Sequence, residues 1–136
     1  MLRYLLDTNV VSQPMMITPS AGVMRKLMAV ADECAIAAPV WHELQFGCKR
    51  LAVGKRRHAL QDYLADVIKT FEILPYDDLA AKLHAIERVR LQGLGTTVPF
   101  IDGQIAAIAQ INELILVTSN VRDFAPFNAL TVENWA

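Results

Sequence analysis

The sequence predicts a three-layer α/β/α fold in which helices cover both faces of a central parallel sheet. Short apolar segments alternate with amphipathic ones along the chain, and alternating strands and helices fold around parallel sheets. Hydrophobic residues make up 54% of the 136 residues and the mean hydropathy is +0.29, which is enough for a sizeable core. Because no linker, repeat or low-complexity tract interrupts the pattern, we expect one domain over residues 1–136.

Two strands and three helices are predicted in the first half of the chain. An apolar run ends at Leu6, and a second one is closed by Pro39. Val23, Leu27 and Val30 recur at helical spacing behind Ser20, which is a suitable N-cap. In order, the predicted elements are strand 3–6, helix 20–30, strand 34–38, helix 41–51 and a second helix after Gly54 that forms a hairpin with the preceding one.

Three strands and two helices are predicted in the second half. Pro75 ends a short strand, Asp77 and Asp78 cap the helix that follows, and Gly93 and Gly95 end that helix. An apolar helix then precedes a buried strand. In order, the predicted elements are strand 71–74, the Asp-capped helix, helix 101–111, strand 115–118 and a last short strand over 130–132.

Charge and cysteine content exclude several classes of protein. The net charge is −1, so no global field favours a polyanion and any nucleic-acid contact must be local. Two cysteines, Cys34 and Cys48, are too few for a disulfide framework or a zinc site and fit a reducing cytoplasm. Asp7 interrupts the N-terminal apolar run, and no segment approaches a membrane span. We therefore expect a cytoplasmic protein without a signal peptide or membrane association.

Acidic residues recur where predicted strands end or helices begin. Asp7 follows the first strand, Glu43 opens the helix after the second, and Asp102 opens the helix before the fourth. Asn120 and Asp123 follow the fourth strand. Since the carboxyl ends of parallel strands share one edge, these groups should converge there. The alternative for Asp7 and Asp102 is capping of a helix or turn, and for Glu43 it is a favourable charge in a helix's first turn.

Converging carboxylates predict a hard-metal site. Carboxylates that repel one another are stabilised by a cation, and oxygen-only ligation suits Mg²⁺ or Mn²⁺. Such ions activate water and stabilise charge on a phosphoryl group, so phosphodiester hydrolysis is the natural chemistry. No rival constellation competes, because His42, His58 and His84 lie within predicted helices as surface or core residues. The glycines at 93 and 95 follow a helix rather than a strand and do not form a phosphate loop.

Four short motifs occur in a fixed order along the chain. They are Leu6-Asp7-Thr8-Asn9, Glu43-Leu44 followed by Gly47, Asp102 with Ile105-Ala106-Ala107, and Val117-Thr118-Ser119-Asn120 with Asp123-Phe124. This ordered set, from about Met1 to Trp135, resembles the PIN domain and, more closely, the VapC-type toxins of bacterial toxin–antitoxin pairs. The resemblance implies an Mg²⁺- or Mn²⁺-dependent endoribonuclease with a five-stranded parallel sheet. It also implies toxin homodimers and a VapB-like antitoxin that wraps the toxin and obstructs its acidic pocket.

The resemblance also assigns roles to individual residues. Asp7 and Asp102 match the principal metal ligands, and Glu43 matches the residue that binds a second ion or orients the attacking water. Asn9 and Thr118 would position the carboxylates through hydrogen bonds.

One position departs from the family pattern. The fourth acidic position falls on Asn120, which offers a carbonyl oxygen but no charge. Asp123, three residues on, either supplies the missing carboxylate or only caps the turn into Phe124. The sequence leaves both alternatives open.

Substrate and partner contacts are predicted on the helix hairpin and on the helix over 20–30. Lys49, Arg50 and Arg56, with Lys55 and Arg57, form a basic cluster that either holds RNA phosphates or is simply a solvated helical face. Met24, Met28 and Phe46 suit an antitoxin or dimer groove, and they suit the core equally well.

Two other functions fit parts of the pattern. A phosphoryl-transfer enzyme of the haloacid-dehalogenase type also begins with an aspartate after its first strand, but it requires an acid where this chain has Asn9. A non-catalytic PIN-like module that binds RNA or protein is favoured by Asn120, which thins the acidic set. The leading hypothesis is a toxin that cleaves single-stranded or looped RNA with a metal-activated water.

Overall fold

A five-stranded sheet in which every pair of neighbours is parallel forms the centre of the computed structural model, which describes residues 1–136. The strand order is β3-β2-β1-β4-β5, so β1 lies in the middle and pairs with β2 and β4. Leu6, the last residue of β1, stands opposite Ile36 on β2 and Val117 on β4. The strands are β1 Tyr4–Leu6, β2 Cys34–Ala37, β3 Glu72–Leu74, β4 Ile115–Val117 and β5 Val132–Glu133.

Seven α-helices connect and cover the strands. Two short 3-10 turns, Gln13–Met15 and Ala31–Glu33, lie before and after the second helix. The helices are α1 Thr8–Val11, α2 Ala21–Val30, α3 Ala38–Lys49, α4 Lys55–Thr70, α5 Asp78–Gly93, α6 Phe100–Ile111 and α7 Val121–Phe124. None of them combines the length and apolar character that a bilayer crossing requires.

The core lies on both faces of the sheet, as a three-layer fold demands. Leu5, Leu6, Ile36 and Leu116 are completely buried, because strands covered by helices on both sides read as continuous apolar runs. On α6, residues 105–109 are all buried as well. The predicted α/β/α class is thereby confirmed.

Helices α5 and α6 are packed closely through a glycine. A side chain at Gly103 would collide with the ring of His84, whose Nδ1 lies 2.7 Å from the hydroxyl of Tyr76. His84 is buried and belongs to this packing, as the sequence suggested, whereas His42 and His58 are exposed.

Several predicted boundaries hold and others need correction. The helix behind Ser20 is correct, with the hydroxyl of Ser20 accepting a hydrogen bond from the Val23 N–H. The helix predicted over 41–51 instead begins at Ala38, because Pro39 serves as a helix start rather than a strand end. The last strand is Val132–Glu133 rather than 130–132. Helices α1 and α7 went unpredicted, since four residues are too few to show a helical period.

Candidate acidic site

The carboxylate of Asp7 lies directly beyond the central strand. It is only 7% exposed, and its Oδ1 accepts a 2.8 Å hydrogen bond from the Thr8 N–H as the N-cap of α1. Its Oδ2 accepts from the Thr118 hydroxyl at 2.8 Å and from the Asn9 amide at 3.3 Å. Capping, which we considered as the alternative role for Asp7, thus uses one oxygen while the other is held by two further donors.

Thr118 connects the ends of β1 and β4. Its side chain is completely buried, and its hydroxyl accepts from the Asn120 N–H at 3.0 Å and from the Asn9 amide at 3.4 Å while it donates to Asp7. The side-chain Oδ1 of Asn9 in turn accepts from the Ser119 N–H at 3.0 Å. Such a connected network fixes the orientation of the Asp7 carboxylate.

Glu43 approaches Asp7 from helix α3. Because α3 begins at Ala38, Glu43 lies in the second turn and not at the helix start, so the first-turn role that we considered for it is wrong. Its Oε2 accepts a 3.2 Å hydrogen bond from the Thr8 hydroxyl, a contact that sequence reasoning missed although Thr8 stands in the Asp-Thr-Asn motif. Burial and the charge of Asp7 raise the pKa of Glu43.

Asp102 is the most strongly perturbed of the acids. It lies in the first turn of α6 and is half-buried. Its pKa is raised to about 6, first by burial and then by the charges of Asp7, Asp123 and Glu43. The charges of Asp7, Asp123 and Glu43 therefore all act on Asp102 at the carboxyl edge of the sheet.

The donor set suits a hydrated hard cation. No three His, Cys, Asp or Glu side chains stand close enough together to form a ready-made metal cage. Mg²⁺ does not need one, since it keeps several waters and is typically bound through one or two carboxylates and substrate phosphates. Carboxylate oxygens that repel one another, with no cysteine among them, match that preference and not that of zinc.

Asn120 and Asp123 contribute differently to the acidic site. Asn120 is exposed, is the N-cap residue of α7, and makes no side-chain capping hydrogen bond. Asp123 lies in that short helix, and its charge raises the pKa of Asp102. Of the two residues, Asp123 is the one whose charge acts on the acidic set.

A groove beside Glu43 contains part of the basic cluster. It has a volume of about 660 Å³, and Arg50, Arg56 and Phe46 line it together with Glu43. Lys49 is exposed but does not line this groove. A smaller cavity of about 130 Å³ lies between α5 and α6 and includes none of the four acids.

The apolar residues singled out in the sequence are largely outside the core. Met28 is 83% exposed and Phe46 is 58% exposed, while Met24 is half-buried. Core packing, which was the alternative for these residues, is therefore wrong for Met28 and Phe46.

Comparisons with known proteins identify the family of this chain. The PIN domain family matches residues 4–128. Toxin FitB of Neisseria gonorrhoeae is 29% identical to this chain, with 96% of this chain and 97% of the relative covered. The tRNA(fMet)-specific endonuclease VapC of Shigella flexneri is 28% identical, and both chains are covered completely. A solved structure of a member of the VapBC family of toxin–antitoxin systems from Mycobacterium tuberculosis superposes with a TM-score of 0.74 at 28% identity, with 98% of each chain covered.

The family match extends over most of the chain and includes all four acids, and the relatives are matched along nearly their full lengths. The chain therefore belongs to the PIN-domain family and, within it, to the VapC-type toxins.

Proposed function

We propose that this protein is a divalent-metal-dependent endoribonuclease that acts as the toxin of a toxin–antitoxin pair. The observation that carries the proposal is the position of Asp102, which is half-buried at the edge of the sheet and within range of the charges of Asp7, Asp123 and Glu43. Burial first, and then these three charges, raise the pKa of Asp102 to about 6. An acidic cluster of this kind favours a hard cation over four free negative charges.

In this proposal each acid has its own task. Bound Mg²⁺ or Mn²⁺ supplies an activated water and neutralises charge on the reacting phosphate. Asp7 and Asp102 would hold the cation, with Asp7 kept in orientation by hydrogen bonds from Thr118 and Asn9. Glu43 orients the attacking water and accepts its proton, a role that suits a carboxylate whose pKa is raised.

Partners follow from the same comparisons. The relatives include a tRNA-specific endonuclease and a member of a toxin–antitoxin system, so we infer an RNA substrate and a VapB-like antitoxin for this chain. We also infer a homodimer, and cytoplasmic action, where RNA and antitoxin are both available. The free thiols of Cys34 and Cys48 are compatible with that compartment.

One observation favours a second candidate, a non-catalytic PIN-like module that binds RNA or protein. Asn120 stands where the family has its fourth acid, and it brings no charge to the site. This candidate predicts that the purified protein leaves RNA intact whatever metal is added.

Purified protein tests the proposal directly. We expect cleavage of total tRNA with Mn²⁺, loss of cleavage with EDTA, and at least a hundredfold slower cleavage by Asp7→Asn, because that change removes a ligand charge. Asp66→Asn, at an exposed position on α4, is the matched control and should cleave at the wild-type rate. Intact RNA with wild-type protein and Mn²⁺ would favour the non-catalytic module.

A further inference from the structure

Three side chains on one face of α3 form a continuous exposed stack. His42, Phe46 and Arg50 follow one another at intervals of four residues, which places them in a row along the helix. The rings of His42 and Phe46 are parallel within 4°, with centroids 6.2 Å apart. The guanidinium of Arg50 lies 5.7 Å from the centroid of the Phe46 ring.

This stack adjoins the acidic site. Glu43 stands three residues before Phe46 on the same helix, and both line the groove of about 660 Å³ between α3 and α4. Arg50 and Arg56 bring two positive charges to that groove. An unpaired nucleotide whose phosphate reached the acidic site could therefore place its base within reach of Phe46.

Packing does not explain the position of Phe46. Its side chain is 58% exposed, although burying a phenylalanine normally stabilises a fold. An exposed ring flanked by an imidazole and a guanidinium has the composition of surfaces on which bases of single-stranded nucleic acid stack.

We propose that Phe46, flanked by His42 and Arg50, is a stacking platform for an unpaired base of the RNA substrate. This inference rests on the proposed ribonuclease function and adds a substrate requirement to it. The nucleotide beside the reacting phosphate should be unpaired, because a base held in a duplex must first be unstacked and unpaired before it contacts the platform, at a cost of about a few kcal/mol. A peptide would also bury Phe46, but the positive charge of Arg50 and Arg56 complements phosphates.

The test measures stacking and binding without cleavage. Single-stranded RNA oligonucleotides that carry 2-aminopurine at successive positions are titrated with full-length protein in EDTA, and 2-aminopurine fluorescence reports stacking. We expect quenching at one or two adjacent positions with wild-type protein and with Phe46→Trp. Phe46→Leu, which keeps an apolar side chain without a ring, should lose the quenching and bind roughly fivefold to fiftyfold more weakly.

Two controls separate the platform from general effects. Ile68→Ala removes an apolar side chain of similar exposure from α4 and should leave quenching and affinity unchanged. Arg50→Lys keeps the charge but loses the planar stack, so it should bind more weakly than wild type and retain the salt dependence. Binding of a duplex of the same sequence should be insensitive to Phe46→Leu.

The outcomes distinguish this inference from the proposed function. Cleavage of RNA in Mn²⁺ without position-specific quenching overturns the platform and leaves the ribonuclease standing. Quenching without cleavage supports the platform and contradicts the ribonuclease. Unchanged RNA affinity in Phe46→Leu, accompanied by weaker binding of a VapB-like antitoxin, would assign the surface to a protein partner and overturn the proposal.

Discussion

The hydroxyl of Thr118 holds the orientation of the central carboxylate. It is buried without solvent contact, donates to Asp7 and receives two hydrogen bonds from other groups at the same edge of the sheet. The hydroxyl of Thr118 can be replaced by a methyl group of similar size, and the effect on activity and stability can then be measured.

Replacing Thr118 with valine keeps the shape and removes the hydroxyl. We expect RNA cleavage to fall roughly tenfold to a hundredfold, as is usual when a partner that orients a metal ligand is lost. The free energy of unfolding should fall by about 1–2 kcal/mol, because donors are left without an acceptor. Thr118→Ser should stay near the wild type in both measurements. A folded Thr118→Val protein with full activity would contradict the positioning role.

Asp102 gives the fold a pH dependence that can be checked without metal. Its pKa is raised from 3.8 to about 6, so ionising it costs more in the folded than in the unfolded state. In EDTA, Asp102→Asn should therefore be more stable than wild type by about 1 kcal/mol above pH 6, after allowance for solvent screening at this half-buried group. The difference should shrink as the pH falls from 6 towards 4, since wild-type Asp102 is then neutral in the folded state. Urea unfolding at several pH values measures it, with Asp66→Asn as the control; a difference independent of pH would contradict the assigned cause.

The positions of Asp7 after a strand and of Asp102 at a helix start predicted that the two carboxylates lie together, and in the structure the charge of Asp7 does act on Asp102. The hydrogen bond from the Thr8 hydroxyl to Glu43 could not be predicted, because it joins two helices whose packing has no signature in the sequence. The structure adds that the charge of Asp123 raises the pKa of Asp102, while the assignment of Asn120 or Asp123 to the fourth acidic position stays a prediction.

Among the elements, α3 shows how a local signal can be misread. Pro39 after an apolar run resembles a strand terminator, yet proline in the first turn is also a favourable helix start. The three-residue error in the helix start moves Glu43 from the first turn to the second, away from the positive end of the helix dipole. The pKa of Glu43 is raised because burial and the charge of Asp7 outweigh the hydrogen bond from Thr8 and the nearby His42, which lower it.

Helix α5 holds the segment after α7 through an ion pair. Glu87 accepts two hydrogen bonds from Arg90, at 2.9 and 2.8 Å, and a third from the Asn128 N–H at 3.1 Å. Arg90 also donates to the carbonyl of Pro126 at 2.8 Å. The hydrogen bonds from Arg90 lower the pKa of Glu87.

Glu87→Gln should weaken this connection in a pH-dependent way. Because the folded-state pKa is below the ordinary 4.5, the charge stabilises the fold above that pH and the benefit disappears as the pH falls through the lowered value. We expect a loss of about 1–3 kcal/mol at pH 7 that shrinks below about pH 4.5. Glu72→Gln, at an exposed position on β3, is the control for unfolding by urea. An equal loss at pH 7 and pH 3.5 would argue that packing, not the ion pair, is responsible.

For the whole molecule, the order of the strands explains why the acids meet. The chain proceeds from β1 through β2 to β3 on one side and then returns to β4 and β5 on the other, so the direction reverses between β1 and β4. Ligands bind at such a switch point in open parallel sheets. Asp7 follows β1 and Thr118 follows β4, which puts their hydrogen bond at this point. Alternating strands and helices predicted the sheet, but only strand pairing reveals which ends are neighbours.

The net charge of the molecule and the charge of the groove beside the acidic site differ in sign. A net charge of −1 predicts no general attraction for RNA, while Arg50 and Arg56 line the groove beside the acids. Selectivity should then depend on contacts around the acidic site rather than on long-range attraction.

We expect the acidic site around Asp7 to cleave RNA in cells. The most direct measurement is induced expression of the wild type and of Asp7→Asn at matched protein levels, with growth recorded and 5′ ends of cellular RNA mapped. We predict growth arrest and new RNA ends at a restricted set of unpaired sites with the wild type, and neither with Asp7→Asn. Equal growth and identical RNA ends in the two strains would contradict the account.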